Sequence, residues 1–162
     1  PLTNPARANM QLLGVFDKSK TELMVRVLKE LGLKRAMVVS SFEGLDEISI
    51  SAPTQVSELN NGEVRTYVVT PEQLGLETVS IEEVAGGDAE TNADIIRAIL
   101  QGERSPRRDI VLANAGACFY LAGRSATLQE GVELAASLID SGAAYRKLQE
   151  LIQFTGELSH VS

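Results

Sequence analysis

Cysteine is nearly missing from this chain. Cys118 stands alone, which excludes an internal disulfide and leaves no basis for a cysteine zinc site. Histidine is equally scarce: His160 is the only one, and it sits in what reads as a polar tail. Cys118 reads as a core residue, so neither is assigned a catalytic role. No apolar run reaches the length that spans a bilayer, and no signal-peptide pattern opens the sequence. No membrane partner is therefore expected, and the expected compartment is the cytoplasm. An excess of basic residues is lacking too. With 15 Lys and Arg against 22 Asp and Glu, the net charge is −7, which argues against a nucleic-acid-binding surface. Repeats, low-complexity tracts and linkers are lacking. What remains is 162 residues, 44% of them hydrophobic, enough for one domain with a real core.

The order of patterns along the chain points to an α/β layer structure. Pro1 to Ala8 reads as an extended loop, and Met10 to Phe16, interrupted by Gly14, as a first buried strand. Ser19-Lys20-Thr21-Glu22 matches a capping box. Leu23, Met24, Val27, Leu28 and Leu31 then recur at helical spacing, and Gly32 supplies the stop. Ala36 to Val39 is a short β-branched run that reads as a second buried strand, completing a βαβ unit with parallel pairing. Thr54–Leu59 and Glu63–Val69 flank Asn60-Asn61-Gly62, a strong hairpin signal. The C-terminal half is helical. One helix runs from Asp88 as cap, with Ala89, Ala93, Ile96, Ile99 and Leu100 as its apolar stripe. The next is capped by Ser105 ahead of Pro106, is apolar nearly all round through Leu121, and has Ala113, Ala115, Gly116 and Ala117 to let backbones approach closely. A third opens on the capping box Thr127-Leu128-Gln129-Glu130, and a last one follows Gly142. The expected fold is a mostly parallel sheet with an inserted β-hairpin and a helical C-terminal half.

The most suggestive pair of residues is Asp46 and Glu47, which follow the turn signal Glu43-Gly44 just past the second strand. Open α/β sheets place their ligand crevice at the carboxyl ends of parallel strands. Two hard oxygen donors there suit Mg²⁺, which takes one or two carboxylates together with waters and substrate phosphates. An Asp-Glu pair can equally do no more than solvate a turn, and spacing alone does not separate these readings.

A set of motifs in fixed order does. Pro1-Leu2-Thr3-Asn4-Pro5, Gln11 to Val15, Gly44-Leu45-Asp46-Glu47 with Ser49, Gly86-Gly87-Asp88 with Asn92-Ala93, and Asn114-Ala115-Gly116-Ala117 running to Ala122-Gly123 follow one another. Gln129-Glu130-Gly131-Val132 and Ile139-Asp140-Ser141-Gly142 extend the series almost to the end. In these blocks the chain resembles the anthranilate phosphoribosyltransferases of tryptophan biosynthesis, over nearly its whole length.

The resemblance implies a glycosyltransferase of the pentosyl class, transferring the phosphoribosyl group of phosphoribosyl pyrophosphate to anthranilate. It implies Mg²⁺ held by Asp46 and Glu47. It places Pro1 against the anthranilate pocket, although a proline that merely stiffens the loop is an equal reading. It also implies that the chain is the C-terminal portion of a longer enzyme. The family's N-terminal helices, through which similar enzymes form homodimers, and its Gly-Thr-Gly-Gly-Asp phosphate loop are not in this sequence. Gly86-Gly87-Asp88 lacks the preceding Gly-Thr and reads as a turn and helix entry. The isolated chain is accordingly expected to be inactive. Asn114 reads as a hydrogen-bonded structural group, and Arg107 and Arg108 as solvent-facing. The alternatives are a pyrimidine nucleoside phosphorylase of similar architecture, or a folding or interaction domain without catalysis.

Overall fold

A computed structural model describes residues 9–84 and 89–161, the side chains of 89–92, 152 and 154–161 aside. Four strands form one sheet in the order β1-β2-β3-β4: β1 Met10–Gly14, β2 Arg35–Ser41, β3 Thr54–Asn60 and β4 Glu63–Val69. β1 and β2 are parallel, with Gly14 opposite Val39, and α1 (Thr21–Glu30) connects them. The hairpin is not an excursion between parallel strands. It is the other half of the same sheet, because β3 pairs antiparallel along the whole of β2, from Arg35↔Asn60 to Ser41↔Thr54. One of the three pairings is therefore parallel, and the sheet is mixed. The hairpin turn is Asn61-Gly62, both at positive φ (51° and 91°), which a two-residue turn of this hand requires.

β2 sits in the middle, and its apolar run is continuous because both faces are covered. Ala36 and Val38 meet Val25 and Leu28 of α1 on one side, together with Leu59. Met37 and Val39 face the other side, against a larger core with Val56, Leu112, Ala113, Ala117 and Leu121. The core stripe of α1 is thus Val25 and Leu28, with Leu23 and Leu31 more than half exposed. The helix is also entered differently from expectation. A 3-10 turn over Lys18–Lys20 precedes it, capped by Asp17, whose Oδ1 accepts the Ser19 N–H at 2.9 Å.

The helical half consists of α2 (Ala89–Leu100), α3 (Pro106–Leu121), α4 (Leu128–Asp140) and α5 (Ala143–Val161). In α2, Ile99 is buried while Ile96 is half exposed. Ser105 caps α3 by accepting the Arg108 N–H, and Thr127 caps α4 by accepting the Glu130 N–H; such caps are worth ~1 kcal/mol each. Gly116 and Gly131 press α3 and α4 together: a Cβ on Gly116 would stand 2.6 Å from the Val132 nitrogen. The inward side of α3 is Leu112, Ala113, Gly116, Ala117 and Leu121. Cys118 points away and is exposed, so it is not a core residue. His160 belongs to α5, which runs through Val161, rather than to a tail.

Candidate functional site at the carboxyl rim of the sheet

The site is built on the loop between β2 and β3, residues 42–53, which contains neither helix nor strand. Ser41, the last residue of β2, starts it: its Oγ accepts the Leu45 N–H at 2.8 Å and its carbonyl accepts the Gly44 N–H at 3.0 Å. Gly44, at φ 87°, makes the turn. Asp46 and Glu47 come next, and Ile48 and Ile50 then bury themselves completely in the core. Ile48 and Ile50 do not resume a strand; their alternation reflects burial of a loop.

Both acids lie at the carboxyl ends of the two parallel strands. The Asp46 backbone rests directly on Gly14, the last residue of β1, and Asp46 itself is exposed. Glu47 is half-buried and lines a cleft of about 380 Å³ with Arg107, Val111 and the α2 residues Ile95, Ile96 and Ile99. Burial pushes the Glu47 carboxyl above the usual carboxylate range, and the negative charges of Asp46 and Glu43 push it further.

Glu43 is a member of this group that the sequence does not single out. Its carboxylate accepts the Ser51 hydroxyl at 2.6 and 2.7 Å, and the Ser49 hydroxyl as well. It thereby closes the loop across its own neck. A Glu beside a turn glycine carries no signal of that contact; only the two serines, six and eight residues on, hint at it.

The donor set fits a small divalent cation of a particular kind. Among the described residues, no group of three or more His, Cys, Asp and Glu is arranged to hold a metal ion. Asp46 and Glu47 supply hard carboxylate oxygens in a locally negative setting, and one or two carboxylates, with waters and phosphate for the rest, are what Mg²⁺ takes.

The other candidates fall out differently. Asn114 is the structural polar group it was expected to be, and it reaches this loop: its amide meets the N–H and the C=O of Ile48. Arg107 and Arg108 are not solvent-facing. Arg108 is 3% exposed and pairs with Asp140 at 2.9 Å, while Arg107 is half-buried in the wall of the Glu47 cleft. Arg108 turns from the first turn of α3 to Asp140, the last residue of α4, where its charge is met. Pro1 and Gly86-Gly87-Asp88 lie outside the described residues.

A second polar centre lies at the opposite end of the sheet. Glu58 of β3 is 2% exposed; it accepts the Tyr67 and Tyr120 hydroxyls at 2.7 and 2.6 Å, with Arg65 and Arg35 at 3.4 and 3.7 Å. It joins the hairpin to α3 and is remote in register from the acid pair.

Comparison with known proteins agrees with the sequence motifs. Anthranilate phosphoribosyltransferase of Symbiobacterium thermophilum is 54% identical over 98% of this chain and 46% of its own length. That of Desulfatibacillum aliphaticivorans is 52% identical over 97% of this chain and 46% of its own. The crystal structure of the Thermus thermophilus enzyme superposes with a TM-score of 0.79 at 39% identity, over 87% of this chain and 41% of that one. The Saccharomyces cerevisiae enzyme in complex with PRPP and Mg gives 0.85 at 26% identity, over 94% and 44%. The chain therefore spans about half the length of the relatives it matches. Residues 1–145 match the family described as "Glycosyl transferase family, a/b domain", and it is to this family that the chain belongs.

Proposed function

We propose that this chain is the C-terminal α/β part of an anthranilate phosphoribosyltransferase. The whole protein would join the amino nitrogen of anthranilate to C1 of phosphoribosyl pyrophosphate, giving N-(5-phosphoribosyl)anthranilate and pyrophosphate. The observation that carries this reading is the carboxylate pair at the carboxyl rim of the parallel strands, with Glu47 turned into a cleft. Relatives at about half identity bear that activity in their names, and one structural neighbour holds PRPP with Mg.

The chemistry asks for positioning and charge neutralisation rather than for a strong base. The C1–oxygen bond to diphosphate breaks as the nitrogen–C1 bond forms, and the nitrogen then releases a proton to water. An aniline nitrogen is already unprotonated at neutral pH, so the lone histidine is no obstacle. Asp46 and Glu47 would hold Mg²⁺, which when bound offsets the negative charge gathering on the departing diphosphate. Glu43, tied to Ser49 and Ser51, keeps the two acids presented at the rim. Pro1 would contribute to the anthranilate pocket. The cytoplasm is the proposed compartment, and homodimerisation through N-terminal helices the proposed assembly of the whole protein.

The test is to follow anthranilate fluorescence with phosphoribosyl pyrophosphate and Mg²⁺. The whole protein should consume anthranilate, and the 162-residue chain alone should not. Conversion of a pyrimidine nucleoside and phosphate by the whole protein, without turnover of anthranilate, would overturn the assignment.

A further inference from the structure

Asp46 and Glu47 are fixed from both sides, and the fixing groups are not themselves ligands. On the strand side, the Leu45 N–H bonds to Ser41 Oγ and its carbonyl accepts the Ser41 N–H at 3.0 Å. On the core side, the Glu43 tie to Ser49 and Ser51 and the Ser49 N–H to Thr54 Oγ1 hold the loop further on, but the residue directly after the acids is held by one side chain. Asn114 Oδ1 accepts the Ile48 N–H at 3.1 Å, and Asn114 Nδ2 donates to the Ile48 carbonyl at 3.2 Å. A second Nδ2 bond, to the Ile110 carbonyl at 2.9 Å within α3, sets which way the amide faces. The side chain thus does for Ile48 what a neighbouring strand would do, supplying one acceptor and one donor to a backbone that has no strand beside it. The Ile48 side chain is 1% exposed and anchored in the core. Only the two acids lie between the Leu45 and Ile48 braces.

We infer that Asn114 is a positioning residue for the Asp46–Glu47 pair, acting through the backbone of Ile48 to hold both carboxylates in one geometry. The inference rests on the metal-binding reading proposed above. Without the amide, two backbone polar groups of Ile48 lose their partners, and the loop gains freedom next to the donors. Groups hydrogen-bonded directly to metal ligands typically contribute about 10–100-fold in metal affinity when removed, and a brace on the adjoining backbone should fall at the lower end of that range.

The test uses the ¹⁵N-labelled 162-residue chain titrated with Mn²⁺ alone, read by paramagnetic broadening of backbone amide signals. In the unsubstituted chain, broadening should centre on Asp46 and Glu47. Asn114→Leu should raise the Mn²⁺ concentration for half-maximal broadening about tenfold or more and expose the Ile48 amide to fast hydrogen exchange. Asn114→Asp preserves the size of the side chain and serves where the leucine variant does not fold. Ile139→Val, a core substitution on α4 away from the loop, should lower the melting temperature and leave the Mn²⁺ response unchanged. If Ile139→Val weakens the response as much, the effect of Asn114 is merely structural and the inference fails. If the double variant Asp46→Asn, Glu47→Gln abolishes broadening and both Asn114 variants retain it, the inference fails alone. If broadening survives that double variant, the metal reading fails, and the positioning role with it.

Discussion

Gly14 and Asp46 touch through their backbones: a Cβ built on Gly14 would overlap the Asp46 carbonyl oxygen. Gly14 is not in the left-handed region, so what the position requires is space. Gly14→Ala must push the acid loop off the end of β1. Overpacking of this kind costs about 1–3 kcal/mol, to be read by urea unfolding. The same substitution should weaken the Mn²⁺ response of the loop. Gly44→Ala is the informative contrast, since nothing lies within 4 Å of a Cβ there and only the positive φ opposes it.

The raised proton affinity of Glu47 gives stability a definite slope with pH. Burial is the leading cause, followed by Asp46 and Glu43. The folded chain therefore holds this proton more tightly than the unfolded chain. Its stabilising contribution is complete below the ordinary glutamate pKa and is lost as pH rises through the elevated folded value. Glu47→Gln removes that loss. The variant should melt at a higher temperature than the parent near pH ~7, and at the same temperature near pH ~3. Equal melting temperatures at both values would show that the carboxylate sits in no unfavourable field. If the group serves a cation, Mg²⁺ should raise the parent's melting temperature at neutral pH and leave the variant's unchanged.

Glu58 invites the opposite expectation. It is nearly inaccessible, and four groups converge on it from three elements. Burial and the Glu58 hydrogen bond push the Tyr67 hydroxyl well above the ordinary tyrosine range and shift that of Tyr120 in the same direction, so both phenols serve as donors to Glu58. Glu58→Ala strands both donors beside an emptied site and should cost about 3 kcal/mol in urea unfolding, since hydrogen bonds to charged groups are each worth ~1.5–3 kcal/mol. Glu58→Gln keeps an acceptor and should cost about half as much. Arg65 is largely exposed and returns to water in either variant, while Arg35, only 22% exposed, loses its partner together with the two tyrosines. A Tyr120→Phe background should shrink the loss.

The parts of this fold that are legible in the sequence are those with local causes. The Asn61-Gly62 turn, the Ser105 and Thr127 caps and the apolar run of β2 each sit where their own chemistry puts them. The acid pair is legible too, because its position follows from the strand before it. Contacts between distant segments are not. Nothing next to Arg108 foretells Asp140, at the end of another helix. Nothing near Glu58 foretells Tyr120. The hairpin is recognisable, but its side of the sheet is not, since either edge of β2 offers the same backbone groups. The entry to α1 misleads for a smaller reason. Asp17 and Ser19 can both cap, and the earlier residue wins by starting a 3-10 turn.

The seam between α3 and α4 provides the last expectation. A Cβ on Gly131 would overlap the Gly116 carbonyl oxygen and stand 3.0 Å from Ser125 Oγ. The serine can rotate away, but the Gly116 backbone is held by its own helix and can yield only if α3 and α4 separate. Gly131→Ala should therefore destabilise the chain by about 1–3 kcal/mol or more, although alanine has the better helix propensity by ~1 kcal/mol. The displacement would also reach the site, because Asn114 lies two residues before Gly116 on the same helix. Hydrogen exchange at the Ile48 amide should then rise in Gly131→Ala even though no group of the loop has been altered. An unchanged Ile48 exchange rate in a clearly destabilised Gly131→Ala would mean that α4, and not α3, gives way.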